Sequence, residues 1–161
     1  MNWRAGDPAA AVTMTERLRA LIVEDYPDDA LLIVRELKRN FSEVEFLRVD
    51  TREALREALN NPWDVILCDY LVPDLPWPVA LREAQNRMCN VPFIVVSGLV
   101  GEDDAGLAAI RDGAWEVLSK SHIKRLGHIV KRELVRAEAL SANSLAQAQL
   151  IESAKGLQAR P

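Results

Sequence analysis

The sequence predicts an α/β fold with a parallel sheet, and three observations carry that expectation. From Leu18 onward, short apolar runs alternate with stretches whose apolar residues recur at helical spacing, as βαβ units require. The runs Ala20 to Val23, Val65 to Cys68 and Phe93 to Val96 are apolar throughout, as in strands covered on both faces. Each run ends in polar residues: Glu24 and Asp25, Asp69, Ser97, and Lys120 after the run Trp115 to Ser119. In parallel strands these side chains emerge together at the carboxyl edge, where open α/β sheets bind ligands.

Leu18 to Glu24 reads as the first strand. Asp28 or Asp29 is the expected cap of a helix running to about Asn40, with Ala30, Leu31, Val34 and Leu37 on its inner stripe. Val44 to Val49 is the second strand. Thr51 then caps a helix that turns Ala54, Leu55, Ala58 and Leu59 inward and stops at Asn61-Pro62. Trp63 to Asp69 is the third strand, followed by a loop with Pro73, Pro76 and Pro78, the last placed to open a helix. Val91 to Ser97 is the fourth strand, with Pro92 tolerated at its start. Gly101 to Asp104 leads into a helix, with Asp103 and Asp104 as candidate caps and Gly113 closing its C-terminus. After the fifth strand, Trp115 to Ser119, a helix begins near His122, with Leu126, Ile129, Val130, Leu134 and Ala137 on its apolar side.

At 161 residues the chain has room for one domain and a short appendage. Residues 1–17 are expected to be a disordered arm, 18–140 the domain, and 141–161 a helical or disordered tail. The hydrophobic share of 49% suffices for a full core, and the net charge of -4 gives no bulk affinity for nucleic acid. No apolar stretch is long enough for a membrane span, and Met1 to Thr15 lacks the apolar segment of a secretory signal. Cys68 and Cys89 form no metal or redox motif, so a cytoplasmic setting is expected. Lys124, Arg125, Lys131, Arg132 and Arg136 make the last helix basic, which reads as a solvated face. His122 and His128 read as surface residues, and Trp77 as either a contact site or a residue buried against its own helix.

A carboxylate can act as a nucleophile toward a phosphoryl group, giving an acyl phosphate. Mg²⁺ takes oxygen ligands, usually one or two carboxylates with water and phosphate oxygens. Lysine supplies a point charge to phosphate and serine a hydroxyl donor. The ordered set Glu24-Asp25, Asp69 to Pro73, Ser97-Gly98 and Gly113-Ala114 to Lys120 resembles the receiver domain of two-component response regulators over about Leu18 to Leu140. The resemblance implies a flavodoxin-like, doubly wound sheet of five parallel strands in the order 2-1-3-4-5 with five helices. It implies that Asp69 accepts a phosphoryl group from a sensor histidine kinase or phosphotransfer protein. Glu24, Asp25, Asp69 and the Leu71 carbonyl would hold Mg²⁺, Lys120 would pair with Asp69 and then with phosphate, and Ser97 would bond a phosphate oxygen. Gly98 would leave room for the phosphoryl group.

Three departures from the family pattern bear on switching. Val117 stands where receivers carry Tyr or Phe, Ser121 follows Lys120 where they carry Pro, and Pro76-Trp77-Pro78 replaces a glycine loop. The function expected is phosphoacceptance with signalling through a changed surface, without enzymatic turnover and without a DNA-binding output region. The last helix is a candidate homodimer contact, and no nucleic-acid or membrane partner is expected. The alternative, motivated by Val117 and Ser121, is a protein-binding module that works without phosphorylation. A phosphatase would also use an Asp nucleophile, but Leu71 occupies the position where its general acid would sit.

Overall fold

The computed structural model describes residues 16–88, 90–98 and 104–158. The expected arm up to Thr15, Cys89, Asp103 and residues 159–161 lie outside the described residues. Among the described residues five strands and five helices alternate: β1 Arg17–Val23, α1 Pro27–Leu37, β2 Glu43–Val49, α2 Arg52–Ala58, β3 Val65–Asp69, α3 Trp77–Arg87, β4 Phe93–Ser97, α4 Asp104–Asp112 and β5 Glu116–Ser119. A 3-10 turn, Lys120–Arg125, then leads into α5, Leu126–Gln158. All strand pairs are parallel and the order is β2-β1-β3-β4-β5, as expected of the flavodoxin-like fold.

Strand alternation sends two apolar sets to opposite faces of the sheet. Leu18, Ala20, Ile22, Val65, Leu67, Ile94 and Val96 pack against α1 and α5 through Ile33, Val34, Leu37, Leu126 and Val130. Leu21, Val23, Ile66, Cys68, Phe93 and Val95 pack against the other helices through Leu55, Ala58, Ala80, Leu81 and Ala109. Both layers are therefore wound around one sheet. The chain leaves β1 toward β2 and returns to β3 on the opposite side, so the switch point lies between β1 and β3.

Several local expectations change. Neither Asp28 nor Asp29 caps α1: Tyr26 is the N-cap residue, without a side-chain bond, and Pro27 opens the helix. Proline fixes a helical φ and lacks the N–H that a cap would satisfy, so the helix starts before the aspartates. Leu31 is 55% exposed, and Ile33 takes its inward place. The stripe is then Ala30, Ile33, Val34 and Leu37, at spacings of three, one and three. The final α-helix starts at Leu126 rather than near His122, because the chain passes first through the 3-10 turn. Thr51 does cap α2, its Oγ1 accepting from the Ala54 N–H at 3.2 Å. Gly113 closes α4 at φ 115°, a conformation open to glycine. Its N–H donates to the Ile110 carbonyl.

Trp77 is buried and stacks on Tyr70 with ring centroids 6.2 Å apart, which resolves its two readings in favour of burial. His122 and His128 are exposed. On α5, Arg132 pairs with Glu116 and Glu133, Arg136 with Glu133, and Lys131 with Glu16, so much of the basic face is neutralised locally. Helical structure continues through the expected tail to Gln158. Among the described residues no helix is long and apolar enough to cross a membrane.

Candidate functional site

The four polar strand ends converge at the switch point. Glu24 follows β1, its N–H bonded to the Val49 carbonyl at 3.1 Å, which prolongs the β1–β2 pairing by one residue. Its side chain is fully buried. One oxygen, Oε1, accepts from the Tyr26 N–H at 3.1 Å, and Oε2 accepts from Lys120 Nζ at 3.4 Å. Asp69 ends β3 and is buried, its Oδ1 3.4 Å from the same ammonium. Ser97 ends β4 and Lys120 follows β5, so each reaches the edge because its strand stops there. Glu24, Asp25 and Asp69 each place one carboxylate oxygen within 4.8 Å of the others.

Burial makes this a costly place for negative charge. It raises the Glu24 carboxyl from 4.5 to about 7; the Tyr26 N–H bond opposes the rise, Asp69 adds to it, and Lys120 relieves it in part. Burial also raises Asp69, against the pull of Lys120. At Lys120 burial works against the charge, but Asp29, Asp69 and Glu24 outweigh it and the ammonium is held above its usual value. Cys68, buried beside Asp69, has its thiol pushed far up by burial, so it remains protonated and inert. Its Sγ donates to the Asp69 carbonyl at 3.3 Å.

A divalent cation suits what the residues leave undone. Asp25 Oδ1 is buried without a hydrogen-bond partner, and its clustered neighbours Glu24 and Asp69 share a single ammonium. An all-oxygen donor set of this charge fits Mg²⁺. Beside it lies a cleft of about 210 Å³ lined by Tyr26, Asp29, Asp69, Tyr70, Leu71, Ser97, Gly98 and Lys120. Its size and its one ammonium suit a phosphoryl group. A methyl group added at Gly98 would stand 3.6 Å from Lys120 Cδ, in ordinary contact, so the glycine leaves space on the cleft side without being forced by the protein.

Asp29 is the site residue that the sequence did not disclose as one. It sits in the first turn of α1 and its Oδ2 accepts from Lys120 Nζ at 3.0 Å. A run Asp28-Asp29 before a helix reads as capping chemistry, and nothing local signals a lysine 91 positions away. On and beside β5, Val117 and Trp115 pack against the same core layer, and the Arg136 guanidinium lies 4.9 Å from the Trp115 ring centroid.

No protein-family model matches the chain. A signal receiver domain from Vibrio parahaemolyticus is 25% identical, with a TM-score of 0.66, over 78% of this chain and 96% of that one. The described residues share the fold of response-regulator receiver domains. A second receiver, that of the sensor histidine kinase PA1611 from Pseudomonas aeruginosa, is 25% identical with a TM-score of 0.61 over 73% of this chain and 97% of that one. That receiver holds a magnesium ion coordinated in its active site cleft. The hydrogenase transcriptional regulatory protein HoxA of Cupriavidus necator is 26% identical over 125 residues, 76% of this chain. The chain spans 25% of the length of that relative.

Proposed function

We propose that this receiver accepts a phosphoryl group on Asp69 from a phosphohistidine, on a sensor kinase or phosphotransfer protein, and signals through a changed surface. What carries the reading is one juxtaposition: Asp69 at the switch point, 3.4 Å from Lys120 and clustered with Glu24 and Asp25. An oxygen of the Asp69 carboxylate attacks phosphorus, the P–N bond of the donor breaks, and the bonding electrons leave with the imidazole. Lys120 offsets charge on the incoming group, and Ser97 lines the cleft that receives it. Glu24, Asp25, Asp69 and the Leu71 carbonyl would hold Mg²⁺. When bound, that ion supplies charge neutralisation of carboxylate and phosphate oxygens. Asp69 is consumed as an acceptor in each event, so no turnover of a separate substrate is expected.

Incubation with Mg²⁺ and acetyl phosphate should add one phosphoryl group to the intact protein by mass spectrometry, and none to Asp69→Asn. No adduct on the wild type, together with failure of beryllofluoride to bind, would overturn the reading. Val117 favours a second reading, a binding module indifferent to phosphorylation, since it removes the aromatic that couples Ser97 to the surface in the family pattern. That reading requires Asp69→Ala to bind its protein partner as the wild type does.

A further inference from the structure

Lys120 is shared among three carboxylates, and Asp69 is not the one it favours. Its ammonium lies 3.0 Å from Asp29 Oδ2 and 3.4 Å from both Glu24 Oε2 and Asp69 Oδ1. Asp29 differs from the other two in origin and in freedom. It comes from the first turn of α1 rather than from a strand end, and its side chain is 43% exposed where that of Glu24 is fully buried. An N-terminal turn stabilises a carboxylate there, and solvent can receive it when it lets go. It lines the same cleft as Asp69, Ser97 and Lys120.

We propose that Asp29 is a positioning residue that competes with the phosphoryl group on Asp69 for the Lys120 ammonium, holding the unmodified site in a withdrawn state. The inference rests on Asp69 being the acceptor. A phosphoryl group brings more negative charge than the single charge of Asp29, so it takes the ammonium when it arrives. Until then the lysine is drawn toward α1, and each phosphorylation event must break the Asp29 bond. Asp29 is a competitor and not a metal ligand: it lies outside the carboxylate cluster formed by Glu24, Asp25 and Asp69.

The test is beryllofluoride affinity at saturating Mg²⁺, followed by ¹⁹F NMR and calorimetry on the full chain. Asp29→Asn and Asp29→Ala should each bind on the order of fivefold more tightly than wild type, the scale of a half-exposed ion pair. Asp29→Glu, which restores the carboxylate, should return to within about twofold of wild type, as a tethered competitor predicts. Asp28→Asn removes the same charge from the exposed neighbouring position and should also stay within about twofold, since bulk charge is screened there. Equal or weaker binding by Asp29→Asn and Asp29→Ala, with the wild type binding normally, overturns the competitor and leaves the acceptor reading standing. An equal gain in Asp28→Asn also overturns it, because the effect would then be general electrostatics. If neither the wild type nor the Asp29 variants bind, the acceptor reading fails and the inference fails with it.

Discussion

Two buried glutamates in this domain lie at opposite ends of the carboxylate range. Glu24, at the switch point, is raised to about 7, chiefly by burial. Glu83, on α3, is lowered to about 2, chiefly by hydrogen bonds from Arg56 and Arg52. Both side chains are largely hidden from water. What differs is the ratio of cations to carboxylates. Glu83 Oε1 receives two guanidinium groups from α2, Arg52 Nη2 at 2.7 Å and Arg56 Nη2 at 2.9 Å. Glu24 shares one ammonium with Asp29 and Asp69. The α2–α3 clamp is electrically complete and serves the fold. The switch point is deficient in positive charge, and that deficit is what a cation can fill.

The sharpest way to break this contrast is Glu24→Gln. It should weaken Mg²⁺ binding by about tenfold or more, as loss of a charged ligand or its support does, while the metal-free protein gains about 1 kcal/mol of stability from the relieved crowding. Calorimetric titration and thermal melts read the two effects separately; a loss of stability in the metal-free variant would contradict the deficit. Glu83→Gln should do the reverse. It should cost about 1–2 kcal/mol, because the hydrogen bonds lose their charge while the arginines stay half exposed, and leave beryllofluoride affinity at the wild-type level. The smallest effect is in the acid limb of stability. Glu83 has a folded value below its unfolded one, so its contribution is full above about 4.5 and fades as the pH falls toward 2. Denaturant unfolding at stepped pH should therefore show the gap between wild type and Glu83→Gln narrowing over that interval. A constant gap would mean that the clamp acts by packing alone.

The same contrast explains what could be read from the chain beforehand. Glu24, Asp69, Ser97 and Lys120 were legible because each terminates an apolar run, and parallel strands deliver run ends to one edge. Glu83 and Asp29 were not. Each sits in a helix among other polar residues, and its partners arrive from elements 27 to 31 positions away for Glu83 and 91 for Asp29. One position of the α1 stripe was also misplaced: Leu31 and Ile33 are both apolar, but with Ala30, Val34 and Leu37 inward Ile33 lies nearer that stripe around the helix and Leu31 turns outward. Burial of Trp77 was undecided because the proline loop gives no period, and the answer lay in its stacking on Tyr70.

The length of α5 has a mechanical consequence. The helix is anchored to the sheet by Leu126, Ile129 and Val130, while from Glu138 to Leu157 every residue is exposed. At 1.5 Å per residue, about 20 residues make an arm roughly 30 Å long. A tilt of about 10° at the anchored turns would carry its far end through about 5 Å, close to the pitch of one helical turn. The anchor lies in the same core layer as α1, the helix that carries Asp29. The arm thus amplifies a small displacement beside Asp69 into one of about a helical turn at its far end.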